Sequence, residues 1–169
     1  EYFQNTSAAA AFRRKQSLKG REDRSYAGYD SNWKAMGHVL GQKFQDPELK
    51  ERLIATGDAF LLEHNAVQNR DKIWSNNNDG SGKNWLGLQL MLLRDHLSGK
   101  NTWTSWLKQH IDDDTGDTKS NKWPALVEGA TRRVQLVIAP GENKAAADNR
   151  ARSMPAGFCR NIKERLEKL

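Results

Sequence analysis

The segment that most constrains the fold is 85–97. Trp85, Leu86, Leu88, Leu90, Met91, Leu92, Leu93 and Leu97 fall on several faces of a helix. A helix that is apolar nearly all round has to lie inside a core. It is too short to cross a bilayer, because nowhere in the chain do about 18 apolar residues run together. Other elements must therefore cover it. Trp33, Met36, Val39, Leu40 and Phe44 recur at helical spacing, with Ser31 or Asn32 as the cap. Asp46, Pro47 and Glu48 supply an N-cap, a first-turn proline and an acid at the positive helix end. Leu49, Leu53 and Ile54 give that helix one apolar face, and Gly57 ends it. Asp58 predicts a short helix carrying Phe60, Leu61 and Leu62. Thr102 predicts a cap for one carrying Trp103, Trp106, Leu107 and Ile111.

Composition locates this core. The chain has 169 residues, and 32 of them are Leu, Ile, Val or Phe. That share borders on the disordered range. The net charge is only +6, however, there are six Trp, and residues 33–111 hold 19 of the 32. The reading is an ordinary core flanked by polar chain, divided into a domain at 1–111 and a C-terminal extension at 112–169. Residues 8–12 predict a helix and 19–25 a solvated loop. In the extension, 112–117 reads as an exposed linker, Trp123-Pro124 opens a short helix, and Val134, Leu136 and Ile138 alternate as a strand. Pro140-Gly141 reads as a turn, and 145–152 and 159–169 as polar helices. The pI is about 9.5, but residues 1–32, 33–111 and 112–169 each net +2. Basicity this even permits a polyanionic substrate without marking a phosphate-binding face. Cys159 is the only cysteine, which excludes a disulfide scaffold and fits a reducing compartment. No signal-peptide pattern is present, so the expected location is cytoplasmic.

The loop 75–83, Ser-Asn-Asn-Asn-Asp-Gly-Ser-Gly-Lys, runs straight into the apolar helix. Glycines before a helix N-terminus can turn amides towards a phosphate. A P-loop would need Gly at Asn77 and Ser or Thr at Asn84. An EF-hand would need Glu at Leu86. Both fail, and spacing alone favours a plain connecting loop. His38, His64, His96 and His110 have no metal-ligand spacing, so neither metal nor cofactor is expected. Cys159 lies on an apolar helix face and reads as a packing residue.

One stretch goes further. Asp71, Trp74, the loop Asp79-Gly80-Ser81-Gly82-Lys83, and then Asn84, Leu86, Gly87, Leu90, Met91 and Arg94 resemble the NADAR family, also called YbiA-like. Its signature is a Trp, a glycine-rich loop and Asn-x-Leu-Gly-x-x-Leu-Met-x-x-Arg. Asn32-Trp33, Lys43-Phe44, Pro47-Glu48-Leu49, Leu53 and Ala55-Thr56-Gly57 also look like the family's helices. The match covers roughly 30–98. Members carry Ser-x-Glu-His-Tyr-Phe-Gln, whose Glu is the proposed catalytic carboxylate. This chain opens Glu1-Tyr2-Phe3-Gln4. Either Glu1 takes that role by a shift of one, or the carboxylate falls just before it.

The resemblance implies a mainly helical α+β domain lacking its β-rich N-terminal segment. It implies a metal-free hydrolase of N-glycosidic bonds. Its substrates would be ADP-ribose on guanine in nucleic acid, slightly preferred for the positive charge, or ribose-phosphate intermediates of riboflavin synthesis. A non-catalytic module binding ADP-ribose or a nucleotide is the alternative, and a polar helical interaction protein a third. Glu1, Asp71 and Trp74 are the candidate catalytic residues. Trp33, Asn76, Gly80, Gly82, Lys83 and Asn84 are the candidate ligand-binding residues. The bland readings stay beside them: Trp33 as core, Asp71 in an ion pair with Arg70 or Lys72, Asn84 as a helix cap, Lys83 as a solvated charge.

Overall fold

The computed structural model describes residues 6–137. Glu1, Ile138, the Pro140-Gly141 turn, the helices expected at 145–152 and 159–169, and Cys159 lie outside the described residues. Six helices follow in order: α1 Ala8–Ser17, α2 Asn32–Lys43, α3 Pro47–Ala55, α4 Trp85–Ser98, α5 Thr104–His110 and α6 Lys122–Val137. Among the described residues there is no strand, only an isolated antiparallel bridge between Ile111 and Thr118. The domain is thus mainly helical. None of these helices is long and apolar enough to cross a membrane.

The caps of α2 and α3 are those the side chains dictate. The Ser31 hydroxyl accepts from Lys34 N–H, and the Asp46 carboxylate from Leu49 N–H. α4 is the hub and packs on α2, α3 and α5. Trp85, Leu88 and Met91 are buried, while Leu86, Leu90, Leu92, Leu93 and Leu97 are half-buried. Around the buried stripe lie Trp33, Phe60, Trp103, Trp106, Leu107, Ile111, Trp123, Leu126, Val127 and Ala130, with Trp74 packed at the edge. All six tryptophans therefore join one core.

Several expectations need correction. Val134 to Val137 continue α6 and form no strand. Trp123, Leu126, Val127 and Ala130 set a helical stripe that is buried, and the short alternation after it merely rides on that helix. Residues 60–62 form no helix, and the backbone of Leu61 bonds to side chains described below. The first turn of α5 is capped not by Thr102 but by Asp95 of α4. Asp95 Oδ2 accepts from Trp103 N–H, Thr104 N–H and the Thr104 hydroxyl. Residues 112–117 are a largely exposed loop, as expected, but two of its carbonyls meet the core. Trp33 Nε1 donates to the Asp113 carbonyl and Trp85 Nε1 to that of Gly116. Gly116 (φ +71°) lies flat on the Trp33 ring, where a Cβ would come within 2.5 Å of Cε3.

Candidate active site

Two buried asparagine side chains do the work of a missing strand. The chain from 61 to 65 has no regular secondary structure, so its backbone groups need partners elsewhere. Asn84 Nδ2 donates to the Leu61 carbonyl, and Asn84 Oδ1 accepts from Glu63 N–H, both at 2.9 Å. The Glu63 carbonyl accepts from Asn76 N–H, and Asn76 Oδ1 accepts from Asn65 N–H at 3.0 Å. Both asparagines are completely buried. Asn84 adopts φ +50° and makes no side-chain cap to α4. Its amide is fully engaged with 61–63, so it neither caps nor offers itself to a ligand. Asn76 is saturated too: Oδ1 also accepts from Asn78 N–H, while Nδ2 meets Thr131 Oγ1 and His64 Nδ1.

The glycine-rich loop is closed on itself. Every backbone N–H from Gly80 to Leu86 is bonded within the protein, to Asn76, Asp79, Asn76, Lys72, Ser75, Ile73 and Trp74 in turn. The amides of Trp85 and Leu86, which a helix start normally leaves free, meet the Ile73 and Trp74 carbonyls. A phosphate cradle needs free backbone donors, and the amides of Gly80 and Gly82 are not free, which corrects the reading of these two glycines as phosphate binders. Gly82 is required by closeness instead, since a Cβ would lie 2.1 Å from the Ser75 carbonyl oxygen. Gly80 (φ +90°) abuts Glu128 of α6 and lines a shallow acidic cleft with Asp79 and Ser81. The Ser81 hydroxyl and amide, then Gln68, donate to Asp79 and hold its carboxyl down at about 2. Lys83 pairs with Asp117 at 2.6 Å and lies 4.8 Å over the Trp85 ring.

The predicted residues therefore divide among three places. Trp33 is buried in the core, edge-on to Trp85. Gly80 and Lys83 lie on the loop's α6 side, and Gly82 packs inside the loop against Ser75. Asp71 lines an open cavity of about 400 Å³ with Glu63, His64, Asn65, Arg70 and Ser75. Asp71 Oδ1 accepts from Ile73 and Trp74 N–H at 3.0 and 2.9 Å, which fixes the carboxylate at the head of a tight turn. Its expected ion pair with Arg70 or Lys72 does not form. Trp74 follows, half-buried, edge-on to Trp85 at 5.6 Å. Sequence reasoning missed Glu63 and Arg70. Glu63 stands in an apolar-to-polar run without motif spacing, and only the Asn84 and Asn76 pairings bring it opposite Asp71. Among the described residues no His, Cys, Asp and Glu cluster could hold a metal.

Known proteins resemble this chain over much of its length. It is 31% identical over 138 residues to a riboflavin biosynthesis protein of Vibrio vulnificus, covering 80% of this chain and 36% of that one. It is 40% identical over 73 residues to the N-glycosidase YbiA of Shigella boydii and to that of Escherichia coli, covering 40% of this chain and 44% of theirs. The chain belongs to the NADAR, or YbiA-like, family. It spans less than half the length of these curated relatives. No family model matches the chain, and no solved structure does. The NADAR signature now has a physical meaning. Its Asn is Asn84, which ties down 61–63, and its Gly is Gly87, which lets that segment pass against α4. A Cβ on Gly87 would lie 2.0 Å from the Leu61 carbonyl oxygen. Its Met, Met91, is buried in the core, and its Sδ accepts from Leu61 N–H at 3.5 Å. Its Arg, Arg94, donates from Nη1 to Thr56 Oγ1 and joins α4 to α3. In this NADAR chain the signature residues build the frame that carries the cavity.

Proposed function

We propose that the protein hydrolyses the N-glycosidic bond between a ribosyl carbon and a nitrogenous base, in the cavity at 63–75. The observation that carries this reading is the cavity's chemistry: the carboxylates of Glu63 and Asp71 share it with the guanidinium of Arg70. Breaking a ribosyl C–N bond builds oxocarbenium-like charge on the sugar, which a carboxylate stabilises, and a second carboxylate can take a proton from the attacking water. The water oxygen bonds to the sugar carbon. The C–N electron pair leaves with the base, which gains the proton. Glu63, whose carboxylate has no partner among the described residues, suits the base role. Asp71, with one oxygen pinned by two amides, suits charge stabilisation. Arg70 suits a sugar phosphate, and the half-buried Trp74, packed at the core's edge beside the cavity rather than lining it, is the candidate to stack on the base. Glu1 remains a candidate third carboxylate.

The names of the relatives support a glycosidase, and that of the Vibrio protein supports a substrate within riboflavin biosynthesis. The net charge of +6 supports the second substrate, ADP-ribosyl guanine in nucleic acid, with ADP-ribose as the recognised group. The full-length protein is incubated with each. The expected result is release of base and ribose phosphate from the first, or of free ADP-ribose from the second with guanine restored in the strand. ADP-ribose binding without release from either would leave a binding module instead.

A further inference from the structure

The fold fixes where the proton of His64 lies. Asn76 Oδ1 accepts two backbone N–H groups, from Asn65 at 3.0 Å and Asn78 at 3.1 Å. Exchanging its oxygen and nitrogen would set an NH2 against both donors, so the amide has one orientation. Its Nδ2 therefore faces Thr131 Oγ1 at 3.0 Å and His64 Nδ1 at 3.1 Å. The Thr131 hydroxyl spends its own proton on the Val127 carbonyl, 2.8 Å away, and can only accept from Asn76. One Asn76 proton goes to Thr131 and the other to His64. An Nδ1 that accepts carries no proton, so the neutral ring holds its proton at Nε2. Nδ1 is turned to a side chain with no exposure at all. Nε2 lies on the ring's far edge, His64 lines the cavity, and Nε2 has no partner among the described residues.

We infer that His64 is the cavity's neutral hydrogen-bond donor to the departing base, held in its Nε2–H form by Asn76, with Thr131 of α6 as the positioning residue behind it. This rests on the glycosidase reading of the same cavity. As the C–N bond breaks, its electron pair moves onto the base, and a fixed N–H aimed at the base's heteroatom stabilises that charge without reorganising. His64 keeps its proton. Water supplies the hydroxyl that joins the sugar and the proton that joins the base. The charged Arg70 suits phosphate, and a neutral donor suits the base.

Two measurements on the full-length, 15N-labelled protein test this. Two-bond proton–nitrogen spectra at neutral pH should show His64 protonated at Nε2, and Thr131→Val should weaken that preference. A His64 protonated at Nδ1 would overturn the inference. In turnover of an N-ribosyl substrate, His64→Phe should lower kcat about 100-fold with KM little changed. His64→Gln, which can accept from Asn76 and donate into the cavity, should recover most of it. Melting curves confirm that both variants fold. Wild-type kcat in His64→Phe overturns the donor role and leaves the hydrolase standing. A wild-type protein that cleaves no N-glycoside overturns the hydrolase itself, and the donor role with it.

Discussion

At Gly87 a Cβ would fall 2.0 Å from the Leu61 carbonyl oxygen and 2.6 Å from Asn84 Nδ2. Neither neighbour can retreat, because each bonds to the other. Gly87→Ala should therefore lower stability by roughly 3 kcal/mol, read as a drop in the urea midpoint. Gly129→Ala, where no atom lies within 4 Å of a new Cβ, should leave the midpoint unchanged or raise it. The residue types at these positions were legible in the sequence, but their jobs were not. Asn84 precedes a helix and so reads as a cap, yet φ +50° turns its side chain away from α4 towards a segment 21 residues earlier. Asn76 reads as a ligand residue because it stands in a polar loop. Four bonds inside the protein use up its amide, and burial is the property that local spacing cannot report.

At the scale of elements, α6 fastens the glycine-rich loop. Trp123 Nε1 donates to the Lys83 carbonyl at 2.8 Å, Thr131 receives Asn76, and Gln135 Nε2 donates to the Asn78 carbonyl at 2.7 Å. Trp123 is also buried against Phe60. Trp123→Ala should cost about 3–5 kcal/mol in chemical denaturation. In hydrogen exchange it should also speed Gly80 and Gly82, on the loop 75–83, more than the amides of α3. Equal acceleration of both would mean that α6 stabilises the fold without holding the loop. Helices α2, α3 and α4 were legible because cap, first-turn residues and apolar period are all local signals. Residues 60–62 were not, since three apolar residues carry no period and their partners come from α4 and the loop before it. The end of α6 misled for a related reason: Val134, Leu136 and Ile138 alternate, while the buried stripe that makes the segment helical lies earlier, at Trp123 to Ala130.

Across the whole molecule, the acid side of the stability curve has an identifiable contributor. Asp79 has a folded carboxyl held at about 2 against an ordinary 3.8, chiefly by the Ser81 hydroxyl. A depressed folded value means that the unfolded chain takes up the proton first. Its stabilisation is thus fully present above about pH 4 and is lost as pH falls through about 2. Denaturation midpoints measured from pH 6 down to 2 should fall less steeply below pH 4 in Asp79→Asn than in the wild type, with the two slopes alike above it. Asp23 and Asp112, lowered by hydrogen bonds from Ser25 and Asp114 respectively, keep part of the slope in the variant. Charge also explains why the site was half legible. Asp71 stood in a recognisable motif, whereas Glu63 and Arg70 join it only through the folding of 61–65 onto Asn84 and Asn76. Together these carboxylates are proposed to cleave a ribosyl C–N bond. The most direct measurement is base release from an N-ribosyl substrate by the full-length wild type and by Glu63→Gln, Asp71→Asn and the double variant, with melting curves alongside. Each carboxylate variant should lose about 100-fold or more in rate, and Glu63→Gln should melt close to wild type. A Glu63→Gln, Asp71→Asn double variant that releases base at the wild-type rate would contradict this role.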